Sequence, residues 1–182
     1  MLRRPDCTAV RCLAVIEPRF VAVLHRIHSR LDRSGIEWAI TGSLGMALQG
    51  VDVDVHDIDL QTDKAGAYWI AQHFSESVVR PVVYSASERI RSHFGALEID
   101  GVTVEIMGDV QKRLKTGEWE EPVQVRRHML WVEREGMSLP VLSLEYEYQA
   151  YLQMGRVEKA RLLQGWLQRS GHRPPAANAH SH

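Results

Sequence analysis

The residues of this chain best placed to do chemistry are three acids and a glycine turn. In Asp57-Ile58-Asp59-Leu60, strand alternation puts both aspartates on one face. Upstream, the apolar residues Ile36, Trp38 and Ile40 stop at Thr41-Gly42-Ser43, the pattern of a strand ending in a turn. Leu44 to Leu48 reads as the first turns of a helix, so the backbone N–H groups near Ser43 would face an anion. A third acid, Glu105, lies mid-way along the alternating run Val102 to Met107. On aligned strands, Asp57, Asp59 and Glu105 would meet at one end of a sheet. Like charges that close raise one another's pKa, and divalent cations relieve the conflict. A phosphate-seeking turn beside parallel carboxylates is the arrangement that holds a metal-bound triphosphate.

The elements that must position these residues are legible in outline. From Glu17 or Pro18 to Arg33 the apolar positions Phe20, Val23, Leu24, Ile27 and Leu31 recur at helical spacing, with Pro18 suited to a first turn and Ser34-Gly35 as the stop. A second helix is expected over Lys64 to Phe74. Val78 to Tyr84 is strand-like, and Pro81 places it at an edge. His93 to Ile99 and Val102 to Met107 form a hairpin across Asp100-Gly101. Beyond it the spacing predicts a short helix over Asp109 to Lys115, then strands over Val123 to Val132 and Met137 to Val141. Two helices close the pattern, Leu144 to Met154 and Val157 to Leu167, with Ser143 as N-cap and Glu145 and Glu147 in its first turn. The domain reading is an N-terminal extension over 1–15, a catalytic-type domain over 16–142, a helical segment over 143–170 and a disordered tail over 171–182.

The ordered set Gly42-Ser43, spacer, Asp57-Ile58-Asp59, with a later strand acid, resembles the polymerase-β-like nucleotidyltransferase superfamily. Thirteen residues separate Ser43 from Asp57, a spacer at the long end of that family's range. The small size, glutamate as third acid, the strand Val104-Glu105-Ile106-Met107-Gly108 and the helix Gly155-Arg156-Val157-Glu158-Lys159 look most like the aminoglycoside-adenylyltransferase-like branch. The resemblance implies an α+β nucleotidyltransferase fold, a small mixed sheet flanked by helices with a C-terminal helical segment. It also implies transfer of a nucleoside monophosphate, AMP from ATP, to a hydroxyl acceptor with release of pyrophosphate. By the same resemblance Asp57, Asp59 and Glu105 would hold two Mg2+ ions, Glu105 would take the hydroxyl proton, and Gly42, Ser43 and Lys159 would bind phosphate. Arg156 is the alternative phosphate cation. A second alternating pair, Asp52 and Asp54, is set aside because Asp57-Ile58-Asp59-Leu60 leads into Gln61-Thr62 as the family's strand does. His56, beside the first acid, reads as a surface residue, and Trp119, Trp131 and Trp166 read as core.

Composition bounds the rest. A formal net charge of −1 demands no bulk polyanionic partner, and 45% hydrophobic with 25% charged residues is ordinary for a soluble globular protein. No apolar run reaches the length of a membrane span. Cys7 and Cys12 make neither a disulfide framework nor a metal site, and the cytoplasm is the expected compartment. The expected partners are a nucleoside triphosphate and a small-molecule hydroxyl acceptor, with a protein or RNA acceptor as the wider alternative. A rival reading keeps the fold as a nucleotide-binding or toxin–antitoxin-type regulatory module with little turnover. Acids that would mark a polycationic acceptor cannot be picked out of the sequence.

Overall fold

A computed structural model of the chain describes residues 15–171. The expected extension with Cys7 and Cys12, and the expected tail from 172 onward, lie outside the described residues.

Helix α1 (Pro18–Leu31) buries Phe20, Val23, Leu24, Ile27 and Leu31 along one face, with Pro18 in its first turn. Strand β1 (Trp38–Thr41) runs directly into α2 (Gly42–Leu48), and β2 (Ile58–Thr62) follows a loop. Helix α3 (Lys64–His73) is capped by Asp63, whose carboxylate accepts from the Gly66 N–H at 2.6 Å. Strands β3 (Val78–Ala86), β4 (Ile90–Ile99) and β5 (Val102–Lys112) form a meander. A hairpin of β6 (Met129–Arg134) and β7 (Met137–Leu142) precedes α4 (Leu144–Gln153) and α5 (Val157–Arg169).

The seven strands make one mixed sheet in the order β3-β4-β5-β2-β1-β7-β6. Its centre decides what the site can be. Strand β2 pairs antiparallel with β1 and parallel with β5, and the registers set Asp59 opposite Thr41 on one side and opposite Glu105 on the other. The main core joins α1 and α3 to the sheet through Ile40, Leu60, Val104 and Ile106, all fully buried. A second cluster seats α4 and α5 on α2 through Met46, Leu144, Tyr148 and Leu163. The helical segment is therefore anchored to the helix that starts at the glycine turn.

Pro81 lies in an edge strand, as its missing N–H requires. Two secondary-structure expectations fail. The helix expected over Asp109 to Lys115 is strand: β5 continues to Lys112 and pairs Gln111 with Arg91 and Lys112 with Ile90. Burial there alternates, with Val110 and Lys112 inside and Asp109 and Gln111 half-exposed. Tertiary strand pairing overrides the local helix preference of a charged segment. The strand expected from Val123 begins only at Met129, because Val125–Arg127 forms a 3-10 turn after Val123 has bonded to the Val110 carbonyl. The tryptophans also differ from expectation. Trp131 is exposed, and Trp119 lies half-buried under the Arg91 guanidinium at 4.6 Å. Trp166 is half-buried and donates to the Gly50 carbonyl at 3.3 Å.

Candidate active site

Asp59 and Glu105 are register partners on adjacent parallel strands, so their side chains leave the same face of the sheet side by side. Asp57 lies one residue before β2, half-buried, near enough that its charge raises the Asp59 pKa. Burial is the first cause of that rise and the charges of Asp57, Glu105 and Glu147 follow, with a side-chain hydrogen bond to Glu105; together they push Asp59 up to about 8. Burial among other acids thus favours the protonated form of this carboxyl, and a cation bound beside it would lower the pKa again.

Gly42 explains the tight geometry of the neighbouring wall. Its φ is +68°, and a Cβ built there would come within 2.0 Å of Asp59 Oδ2. Only glycine serves both the left-handed backbone and the close approach. The Gly42 N–H, however, does not point at open space. It donates to Glu147 Oε1 at 3.0 Å, and the Thr41 hydroxyl donates to the same oxygen. Glu147 is buried at 4% exposure, and burial raises its pKa, opposed by those two donors and by the more distant charges of Lys159 and Lys112. The sequence reads this residue as a helix first-turn acid, whereas the fold uses it to tie α4 to the glycine turn.

Ser43 is half-buried in the first turn of α2. Lys159 is exposed on α5, its ammonium 5.4 Å from the Tyr151 ring centre. His56, Asp52 and Asp54 are exposed in the loop before β2. The fold thus brings Gly42, Asp59 and Glu105 together, keeps Asp57 beside them, and leaves Lys159 at the surface.

A cavity of about 110 Å3 opens against the pair, lined by Gly42, Asp59, Glu105, Glu147, Lys112 and Arg156 among others. Neither Ser43 nor Asp57 lines it. Lys112, which the sequence reading placed in a helix and passed over, is buried at its wall. Its ammonium is 2.5 Å from Glu120 Oε1 and donates to the Tyr146 hydroxyl at 3.0 Å. Burial presses its pKa down, but Tyr146 and Glu120 outweigh that and hold it above the ordinary value. His128 stacks on Tyr146 at 4.4 Å and is pushed down by burial and by the Lys112 and Arg127 charges. The apolar alternation Val102, Val104, Ile106, Val110, carried on in step to Lys112, is the sequence signal that could have found this lysine.

Whether these residues fit a divalent cation can be judged from the donor set. Asp57, Asp59 and Glu105 supply hard oxygen ligands, and the burial and like charges that raise the Asp59 pKa are what a divalent cation would relieve. Among the described residues no three His, Cys, Asp or Glu side chains already stand gathered as ligands of one ion, so coordination by all three acids requires their carboxylates to draw together. The chemistry fits.

Comparison with known proteins agrees with this geometry. The sequence profile of the aminoglycoside-2''-adenylyltransferase family matches residues 23–163. A presumed nucleotidyltransferase from Thermotoga maritima is similar over 85% of this chain and 96% of its own, with 55% sequence identity and a TM-score of 0.76. The fold is also similar to ANT(2")-Ia in complex with adenylyl-2"-tobramycin, at 14% identity and a TM-score of 0.53, covering 85% of this chain and 92% of that one. The lincosamide antibiotic adenylyltransferase LnuA, with lincomycin bound, is similar at 10% identity and a TM-score of 0.52, covering 82% and 97%. No curated protein matches the chain in sequence. Among the described residues no helix is long and apolar enough to cross a membrane.

Proposed function

Since this chain belongs to the aminoglycoside-2''-adenylyltransferase family of nucleotidyltransferases, we propose that it transfers AMP from ATP to a hydroxyl of a small molecule, with Mg2+ bound and pyrophosphate released. The observation that carries this reading is the Asp59–Glu105 register pair beside the glycine turn, where burial and the neighbouring acids raise the Asp59 pKa.

Asp57, Asp59 and Glu105 would hold the metal, whose part when bound is to neutralise the phosphates and polarise the α-phosphoryl group. Ser43 and the N–H groups that follow Gly42 would receive the triphosphate, with Lys159 approaching from α5. The acceptor hydroxyl oxygen bonds to the α-phosphorus while the bond from that phosphorus to the bridging oxygen breaks, and pyrophosphate leaves with that oxygen. Glu105 takes the hydroxyl proton. Most of the acceleration in such a reaction comes from positioning and charge neutralisation rather than from a covalent intermediate. Glu147 contributes by fixing the Thr41–Gly42 turn, and through it the wall against Asp59.

Isothermal titration with α,β-methylene-ATP, with and without Mg2+, tests the reading. Binding that needs Mg2+ and disappears in the Asp57→Asn, Asp59→Asn double variant is the expected result. A folded protein that binds no nucleotide under any metal condition sinks the enzyme reading and leaves a regulatory module of the same fold.

A further inference from the structure

The two edges of the sheet are built differently. Strand β3 closes one edge and is blunted: Pro81 offers no N–H, and the pairing with β4 slips register twice. Strand β6 closes the other edge with none of these devices. It holds no proline, its six pairs with β7 run in unbroken register, and among the described residues no strand pairs with its outer side. The Glu135-Gly136 turn, with both residues at positive φ, fixes which backbone groups face outward. Arg134, Val132 and Leu130 bond to β7, and the His128 carbonyl continues the ladder by accepting from the Ser143 N–H at 2.8 Å. Met129, Trp131 and Glu133 therefore turn their N–H and C=O groups away from the sheet.

The side chains of β6 carry a second observation. A strand with one face in solvent alternates, whereas Met129-Leu130-Trp131-Val132 is apolar without a break, the pattern of a strand covered on both faces. Here Trp131 is 57% exposed and Leu130 38%. Leu130 and Val132 border a groove with Leu144 and Trp166 on one side of the sheet, and Met129 and Trp131 border another with Trp38 and Pro140 on the opposite side. The charges lie at the two ends of this run. Arg126 and Arg127 precede it in the 3-10 turn, and Glu133 and Glu135 follow it, with the half-buried Arg134 between them.

We propose that β6 pairs antiparallel with β6 of a second copy of this chain, about a two-fold axis through Trp131. That register sets Trp131 against Trp131, Met129 against Glu133 and Leu130 against Val132, so all three outward-facing residues find backbone partners. It also lays the arginine end of each strand beside the glutamate turn of the other, whereas a parallel partner would stack like charges. The strand is thus complementary to itself, the condition for a closed dimer rather than an open chain of copies. Strand β6 stands three places from β2, so pairing there extends the sheet away from the cavity beside Asp59. The proposal is independent of the adenylyl-transfer reading.

Sedimentation velocity of the full chain over a concentration series tests it, together with amide hydrogen exchange. Expected is a monomer–dimer equilibrium in which rising concentration protects the Met129, Trp131 and Glu133 amides. Trp131→Lys should weaken the dimer at least about tenfold, because a lysine there blunts the edge, while Trp131→Phe keeps it. Arg127→Glu and Glu135→Arg should each weaken it about threefold to tenfold, and the double variant should recover most of the loss. Melting curves check that each variant folds. A wild type that stays monomeric throughout, growth beyond a dimer, or a dimer that survives Trp131→Lys with no added protection on β6 overturns the proposal. So does a double variant that associates more weakly than either single one.

Discussion

Two charged clusters share one cavity, and they are built on opposite principles. In the first, Lys112 is buried but neutralised within the fold: the Glu120 carboxylate balances its charge and the Tyr146 hydroxyl accepts a hydrogen bond from its ammonium. In the second, Asp59 has Asp57, Glu105 and Glu147 for neighbours, and all of them are acids. Folding has solved the electrostatics of one and left the other unsolved. A buried pair that is complete holds structure together, while a half-buried acid set among acids is an arrangement that a cationic ligand would relieve. The difference separates scaffold from site without reference to any relative.

The comparison can be broken in several ways. The largest effect is expected at Asp59. Replacing it with Asn should lower transfer by about a thousandfold or more, since both the metal ligand and its charge are lost. The same change has a pH signature. Asp59 has a folded pKa of about 8 against an ordinary value of 3.8, so the folded state binds its proton more tightly. Its contribution to metal-free stability is fully present below pH 3.8 and is lost as pH rises towards about 8. Metal-free melting temperature should fall across that window in the wild type and less so in Asp59→Asn. Mg2+ should recover most of the loss near pH 8. A wild-type profile identical to the variant's would mean that the acids are not coupled.

The scaffold cluster should answer in stability instead. Lys112→Met leaves Glu120 and Tyr146 without their cation and should cost about 2–3 kcal/mol in urea unfolding, discounted from the fully buried case because Glu120 is partly exposed. An unchanged midpoint would remove the contrast between the clusters. Gly42→Ala probes the wall of the unsolved cluster. Its left-handed backbone alone should cost about 1–2 kcal/mol, and the methyl displaces Asp59, so activity should fall further than stability accounts for. Lys159 belongs to neither cluster. Lys159→Ala should change unfolding by less than about 0.5 kcal/mol and raise KM for ATP several-fold with kcat nearly kept. A loss of kcat equal to that of Asp59→Asn would place this lysine at the reacting phosphate.

Much of the fold was legible in the sequence because its signals are local. Pro18 and the spacing from Phe20 to Leu31 specify α1, Asp100-Gly101 specifies the β4–β5 hairpin, and Pro81 marks the edge. The errors fall where a local preference meets a distant strand. Gln111 and Lys112 look helical in isolation and are held extended by pairing with Arg91 and Ile90.

For the candidate site the division is similar. Asp57-x-Asp59 and Gly42-Ser43 stand within one short stretch, so alternation along a strand and the demands of a glycine turn were enough to single them out. Glu105 was legible as an acid on an alternating strand, though not as the register partner of Asp59. Only tertiary structure decided that register, the seat of Glu147 on the Gly42 N–H, the rescue of Lys112 by Glu120, and the seat of the Arg89 guanidinium against Gly155. Those facts join residues far apart in the chain. Composition and periodicity report how each segment folds, but burial and charge pairing exist only once segments meet, and they are what set a pKa and the chemistry of a cavity.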